Sequence, residues 1–248
     1  MKLAFISDIH EDVVSLQVAM QKIEKSKVDK IICLGDISGY SAKHYYHIET
    51  RDAHECLKII KQNCSIILLG NHDFHAIKKI PEISPRFNYP VDWYNMDVFE
   101  KKQISQNRLW IYEDTELQPA FSKADIAFLS GLNQVEVMQA EAYKILLSHY
   151  VYPNLSGMET EYFLDHTDFV QHFSYMEKFG TMLSITGHEH TPGLLCITNK
   201  KIRMHKFGKQ KLKFEESILM CPAIAAGKNK NGFMILDTKT FKAETRSI

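Results

Sequence analysis

Short apolar runs that stop at a glycine, aspartate, asparagine or histidine recur along this chain, and they constrain its fold more than any other feature. Leu3 to Ser7 stops at Asp8, with His10 two residues on. Ile31 to Leu34 stops at Gly35-Asp36, and Ser65 to Leu69 stops at Gly70-Asn71-His72. Ala142 to Ser148 leads into His149, and Met182 to Thr186 leads into Gly187-His188-Glu189-His190. Runs of this length bounded by turn residues predict buried strands. Between the first three lie segments of helical period: Val13 to Ile23, apolar at 13, 16, 20 and 23, and His47 to Lys61, with Cys56, Leu57, Ile59 and Ile60 on one side. A β-α-β-α-β series predicts a parallel sheet with right-handed crossovers.

The rest of the chain extends this reading. Residues 74–133 are aromatic-rich and mostly helical by pattern, and Tyr162 to Phe179 predicts a further helix. From about residue 193 to 248, short alternating runs with turn signals such as Lys228-Asn229-Lys230-Asn231-Gly232 predict antiparallel strands. The expected architecture is α/β, two sheets packed together with helices outside, in one domain spanning 1–248. A hydrophobic fraction of 45% is enough for such a core.

Ligand-type side chains at successive strand ends have a chemical consequence. Sites in α/β sheets collect beyond the carboxyl ends of the strands. Residues i and i+2 of extended chain project to one side, so Asp8 and His10 can face one ion together, as can His188 and His190. Each piece alone is weak. An Asp-x-His is usually a loop accident, Gly35-Asp36 reads more readily as a tight turn, Gly70-Asn71-His72-Asp73 equally as a capped turn, and a single His149 more readily as a core or surface histidine. All of them in order, each at a strand end, point to a metal site. Nitrogen and oxygen donors without thiolate suit Mn, Fe, Zn or Co better than Ca or Cu(I). With Asp8 and Asp36 as the anionic ligands, two divalent ions leave the site positive and suited to phosphate.

Composition narrows the alternatives. Lys plus Arg and Asp plus Glu are both 30, which argues against a broad polyanion-binding surface and so against extended nucleic acid. The five cysteines (Cys33, Cys56, Cys64, Cys196 and Cys221) are scattered and form no CxxC pair, as expected of reduced thiols. The N-terminal apolar run is broken at Asp8, and no stretch approaches the ~18 apolar residues of a membrane span, so a cytoplasmic protein is expected.

At this point the residues resemble the calcineurin-like metallophosphoesterase superfamily. The resemblance rests on Asp8-x-His10, Gly35-Asp36-x-x-Gly39-Tyr40, Gly70-Asn71-His72-Asp73, Ser148-His149 and Gly187-His188-Glu189-His190. Gly39-Tyr40 is similar to the small bacterial phosphodiesterase branch, where Ser/Thr protein phosphatases carry Asp-Arg-Gly. The resemblance implies a four-layer α/β/β/α sandwich and two divalent ions, Mn or Fe first, with Zn, Co or Ni after them. Asp8, His10, Asp36 and His190 would hold one ion. Asp36, Asn71, His149 and His188 would hold the other, with Asp36 shared. His72 would sit over the site as a catalytic residue, beside the bridging Asp36, and contact the phosphate or the leaving group. Three departures bear on substrate choice: Tyr150 stands where Gly is usual, Glu189 where Thr or Ser is common, and Ser41-Ala42-Lys43 where Gly-Pro is usual. Tyr150 is expected to narrow the site or stack on substrate, and Glu189 to support a ligand or lie exposed.

The implied reaction is hydrolysis of a phosphodiester or small phosphomonoester by hydroxide generated between the two ions, with His72 donating a proton to the departing oxygen. Asp73 either orients His72 or caps the turn, and the cap is preferred. The partner is a small phosphate ester, with no membrane; a homo-oligomer is compatible with the sequence. The alternative is a protein of this fold that has lost catalysis and serves as a binding scaffold, but the sequence retains His72 and every ligand. In the aromatic segment, Phe87, Tyr89, Trp93, Tyr94, Phe99, Trp110 and Tyr112 form either a wall near the cleft or a layer packed on the sandwich. Packing is preferred, since aromatics dominate core area. Lys209, Lys211 and Lys213 read as an edge strand blunted by charge. Of the remaining histidines, His44 and His75 are placed nearest the mouth.

Overall fold

The computed structural model describes every residue except Phe214, Lys228 and Asn229; the expected turn at 228–232 therefore begins outside the described residues. The strands are β1 (Lys2–Ile6), β2 (Lys30–Cys33), β3 (Ile66–Ile67), β4 (Val135–Ala140), β5 (Tyr143–Ser148), β6 (Thr181–Thr186), β7 (Leu194–Thr198), β8 (Lys201–His205), β9 (Gly208–Lys211), β10 (Ser217–Met220), β11 (Gly232–Asp237) and β12 (Lys242–Ser247). The helices are α1 (Val13–Glu24), α2 (Ala53–Asn63), α3 (Asn71–Ala76), α4 (Val98–Ser105), α5 (Lys123–Ser130) and α6 (Val170–Phe179).

Two six-stranded mixed sheets result, in the orders β3-β2-β1-β11-β12-β9 and β4-β5-β6-β10-β7-β8. The first three strands pair in parallel, as the β-α-β-α-β pattern requires. Strand alternation then sorts the side chains. Leu3 and Phe5 of β1 face the other sheet and meet Ile145, Leu147, Leu183 and Ile185. Ala4 and Ile6 face the opposite way, toward Leu16, Ala19 and Ile23 of α1 and Leu57 and Ile60 of α2. On the far side, Leu146, Ile218 and Met220 carry Tyr175 and Met176 of α6. The molecule is a four-layer α/β/β/α sandwich.

The elements differ from expectation where local chemistry outweighs periodicity. The 47–61 helix begins only at Ala53, because the Asp52 side chain caps it by accepting from Glu55 N. The helix expected from Tyr162 starts at Val170, after a 3-10 turn at His166–Phe169. Within 74–133, helix is confined to the end of α3, α4, α5 and a short 3-10 turn at Trp93–Asn95, with irregular chain between. Pro81, Pro85, Pro90 and Pro119 lie in those stretches, where a missing N–H and a fixed φ interrupt a helix. β4 went unread: it forms a hairpin with β5 through a turn at Glu141, whose φ is +53°. Lys209 and Lys211 are exposed on β9, the edge of its sheet, as a charged edge strand should be. No helix among the described residues is long and apolar enough to cross a membrane.

One buried histidine outside the site carries a stability prediction. His172 of α6 is fully buried; its Nδ1 accepts from Tyr152 N at 2.7 Å and its Nε2 meets Ser184 Oγ at 2.8 Å. Both contacts are satisfied by a neutral ring, and burial pushes its pKa down to about 3. Between that value and ~6.5 the unfolded chain takes up a proton that the native state refuses, so stability falls as pH falls. At ~1.4 kcal/mol per pH unit, going from pH 7 to 5 costs about 2 kcal/mol through this residue alone. Urea unfolding at both pH values is expected to show the wild type losing about 2 kcal/mol more than His172→Gln over that interval; equal losses would clear His172.

Candidate metal centre

The loops at the carboxyl ends of the central strands of both sheets meet at one place. After β1 the chain is tied to the loop after β2: Asp8 N donates to Gly35 O, and Ile9 N and His10 N both donate to Asp36 O. The second sheet joins through Ala225 N donating to Asp8 O, and through His188 N donating to both carboxylate oxygens of Asp8. Gly187 allows that approach, since a Cβ there would stand 1.9 Å from Ser7 Oγ and 2.7 Å from Asp8 Oδ2. The close contact requires glycine.

The residues that converge there carry unusual backbone. Asp8, His10, Asp36, His188 and His190 all adopt positive φ, between 46° and 70°. For a residue with a Cβ this costs of order 1–3 kcal/mol each, roughly what one fully buried Leu or Phe contributes. The inter-loop hydrogen bonds and the two flanking cores hold these conformations. The i, i+2 logic assumed extended chain at these positions. The chain instead curls through the left-handed region, and the side chains still converge.

They form two facing sets. Asp8, His10 and His190 place their ligand atoms within 4.8 Å of one another, as do Asp36, His149 and His188; Asp36 also lies that close to His10 and His72. His10 Nε2 is 3.2 Å from His190 Nε2, and His190 Nε2 is 3.4 Å from Asp8 Oδ1. His149 Nε2 is 3.1 Å from Asp36 Oδ2 and 3.0 Å from Asn71 Oδ1, which is 3.1 Å from His188 Nδ1. The opposite nitrogens of two of these rings are already engaged: His10 Nδ1 meets Gly39 O at 3.1 Å, and His149 Nδ1 meets Leu34 O at 2.9 Å. A carbonyl can only accept, so each Nδ1 carries the hydrogen and each Nε2 faces the cluster, where an ion would take its lone pair. Ring nitrogens and carboxylates gathered this closely need positive charge among them, which a proton on His149 or a divalent ion in its place supplies. The nitrogen and oxygen donor set therefore fits divalent ions.

The electrostatics agree. Burial alone would raise the Asp8 and Asp36 carboxyls, but the facing His190 and His149 rings outweigh it and hold both well below the usual carboxylate range. Burial works against charge on His149, yet Asp36 and Asp8 pull its pKa up to about 9. His10 is pushed down by burial and by the His72 and His190 rings, and His188 down to about 3 by burial and by His149. The pocket attracts positive charge at its centre and keeps part of its imidazole set neutral.

The catalytic candidate lies at the rim. His72 stands at the start of α3, with its N–H donating to Asp36 Oδ1 at 2.9 Å and its ring edge-on to His10 at 4.7 Å. Its Nε2 is 3.8 Å from Asp36 Oδ2. Asp73 points away from His72 and takes hydrogen bonds from Asp36 N, Ile37 N, Ser38 N, Ser38 Oγ and Gly70 N. It ties the Asp36 loop to the Asn71 turn, so of the two expected roles the structural one holds.

Three expectations about the surroundings change. Tyr150 is buried with 1% exposure; its ring packs 4.4 Å from His188 and its hydroxyl pairs with Glu189. It backs a candidate ligand and does not reach the cleft, and Glu189 is a half-buried partner of that hydroxyl. The aromatic segment divides: Phe87 and Trp93 pack with Leu109 in a satellite core, Phe99 is exposed, and Trp110 and Tyr112 line the cleft. His44 lines the cleft, while His75 is buried against Tyr112. Sequence reasoning missed two neighbours and underweighted a third. Tyr45 stacks on His10 at 4.8 Å, and Glu116 lies against His72. Asn71 Nδ2 donates to Tyr112 Oη at 2.6 Å, which turns Asn71 Oδ1 toward His149 and His188. Above these residues opens a cleft of about 670 Å³.

Residues 1–192 match the family model described as calcineurin-like phosphoesterase. The chain belongs to that family. It is 26% identical over 246 residues to the uncharacterized protein MJ0912 of Methanocaldococcus jannaschii, covering 98% of this chain and 85% of that relative. Its fold is similar to that of a metallophosphoesterase from Sphaerobacter thermophilus (TM-score 0.66, 19% identity, covering all of this chain and 88% of the other). It is also similar to the hypothetical protein PH1004 of Pyrococcus horikoshii (TM-score 0.59, 13% identity, covering all of this chain and 87% of the other). The family supports phosphoester hydrolysis with divalent metal, and the Asp/His clusters of this phosphoesterase stand where its two sheets meet.

Proposed function

We propose that this chain is a dinuclear metal-dependent phosphoesterase that hydrolyses phosphodiester or small phosphomonoester bonds. The observation that carries the reading is the pair of facing sets, with His10 and His149 fixed through Nδ1 so that their Nε2 atoms face Asp and His ligand atoms. Asp8, His10, Asp36 and His190 would hold one ion, and Asp36, Asn71, His149 and His188 would hold the other. The ions, Mn or Fe in the first instance, supply Lewis acidity toward the phosphoryl oxygens and a nucleophile from water at neutral pH. Asp36 lies in the His149–His188 set and equally close to His10 of the other, and would be the shared ligand. Tyr112 keeps the Asn71 amide oxygen turned inward. Two carboxylates offset the ionic charge only in part, so the site stays positive toward a phosphate anion. His72 presents Nε2 at the cleft and donates its proton to the departing oxygen, a contribution typically worth ~10²–10⁴-fold.

Metal removal tests this. Chelated protein is expected to turn over neither bis(p-nitrophenyl) phosphate nor p-nitrophenyl phosphate. Added Mn should restore at least one activity, with about two ions bound per chain by elemental analysis. Turnover that survives complete chelation would contradict the metal mechanism, and a loaded protein inert toward a broad panel of phosphate esters would favour a binding scaffold.

A further inference from the structure

We propose that Glu116 is the positioning residue for His72, fixing through Nδ1 the orientation in which Nε2 faces the leaving group. This rests on the phosphoesterase reading above. Glu116 Oε1 stands in close ion-pair contact with His72 Nδ1, and the Glu116 carboxylate is 5% exposed. A carboxylate desolvated to that degree needs a charged or donating partner, and the His72 ring provides it.

The chain around Glu116 is built to hold it there. Residues 112–116 form a tight turn in which Thr115 N and Glu116 N both donate to Tyr112 O. The next residue, Leu117, donates its N–H to Tyr40 O at 3.0 Å, and Arg51 reaches Gln118 O at 2.8 Å. The loop carrying Glu116 is thus pinned beside Gly39, and Gly39 is where His72 needs room. A Cβ at Gly39 would fall 2.4 Å from His72 Cβ and 2.5 Å from its Nδ1. Gly39 has a φ of +99° and closes one side of the ring. Tyr112 closes another at 4.7 Å, and the edge-on contact with His10 closes a third. With the ring walled in and Nδ1 set against the Glu116 carboxylate, Nε2 is left toward the cluster. In the bond-breaking step water oxygen adds to phosphorus and gives up a proton to solvent, the bond to the leaving oxygen breaks, and that oxygen takes the Nε2 proton. The ring is left neutral, its hydrogen kept on Nδ1 facing the Glu116 carboxylate, and a proton from solvent resets Nε2.

The experiment uses Mn-loaded full-length protein and two diesters, bis(p-nitrophenyl) phosphate, whose leaving group departs without a proton, and dibenzyl phosphate, whose leaving group needs one. Glu116→Gln is nearly isosteric. It is expected to lower kcat on dibenzyl phosphate ~10–100-fold, since small misplacement of a reacting group costs on that order. On bis(p-nitrophenyl) phosphate the loss should shrink to a few-fold, with KM little changed on both. In a His72→Ala background the same substitution should cost no more than about twofold, because two residues acting as one unit are non-additive. Losses of equal size on both esters, or a full additional loss in the His72→Ala background, overturn the proposal. A fall in melting temperature or metal content that accounts for the whole loss overturns it too. If wild-type holoprotein turns over neither diester, the same comparison is made with p-nitrophenyl phosphate and benzyl phosphate; turnover of none of the four removes the phosphoesterase reading and this inference with it.

Discussion

Asp36→Asn is expected to lower kcat on any accepted phosphate ester by at least ~10³-fold while leaving the protein folded. Asp36 stands in the His149–His188 group and in a second group with His10 and His72, so its carboxylate is the one the two proposed ions would have in common. Its two oxygens have separate duties. Oδ1 accepts the His72 N–H at 2.9 Å, and Oδ2 lies 3.1 Å from His149 Nε2. An asparagine keeps the first of these through its amide oxygen. It puts an NH₂ group in place of the second, a donor where a cation belongs. The backbone is not disturbed, because the φ of +56° at this position is one that asparagine adopts more readily than most residues. Kinetics with Mn, elemental analysis and circular dichroism on one preparation check the three parts. Activity within tenfold of wild type would remove Asp36 from the shared position.

How far the sequence foretold this site depends on what sets each feature. The strand-end ligands were legible because a strand that stops at the edge of a sheet puts its next residues at the same edge as its neighbours, and that order is written in the chain. Asp8, Asp36, Asn71, His149 and His188 are brought together in this way. The left-handed backbone at Asp8, His10 and Asp36 was not legible, since no glycine marks it; contacts between loops hold it. Tyr150 could have been placed by alternation alone. Leu146 and Tyr150 both pack toward α6, while Leu147 faces the other sheet and His149 the site. The residue after a ligand on an extended stretch points away from it. Glu116 lay beyond reach. It comes from a stretch with neither helical nor strand period, and it arrives at His72 through a tight turn and pairing with Tyr40. β4 was missed for a related reason: its burial alternates imperfectly, so its pattern is weak until β5 is set beside it.

Asp73→Ala is expected to cost about 4–5 kcal/mol of stability, the largest loss for a single polar side chain near the site. Asp73 is fully buried and accepts from Asp36 N at 2.7 Å, from Ile37 N and Ser38 N at 3.0 Å each, from Ser38 Oγ at 2.9 Å and from Gly70 N at 3.2 Å. Burial and the neighbouring Asp36 carboxylate push its pKa up to about 6, while those same donors favour the charged form. Bonds to a charged acceptor are worth ~1.5–3 kcal/mol each, and the full sum is not realised because water reaches part of the space an alanine vacates. Asp73→Asn separates charge from shape. Its amide oxygen can serve Ile37 N and Ser38, but its NH₂ then meets Asp36 N and Gly70 N, donor against donor. About half the alanine loss is expected from it, measured by urea unfolding at pH 7. Both variants release Asp36 N, the bond that steadies the left-handed turn presenting the Asp36 carboxylate, so metal affinity should fall with stability. A loss below about 1 kcal/mol in Asp73→Ala would mean that the Asp36 loop holds its shape by packing alone.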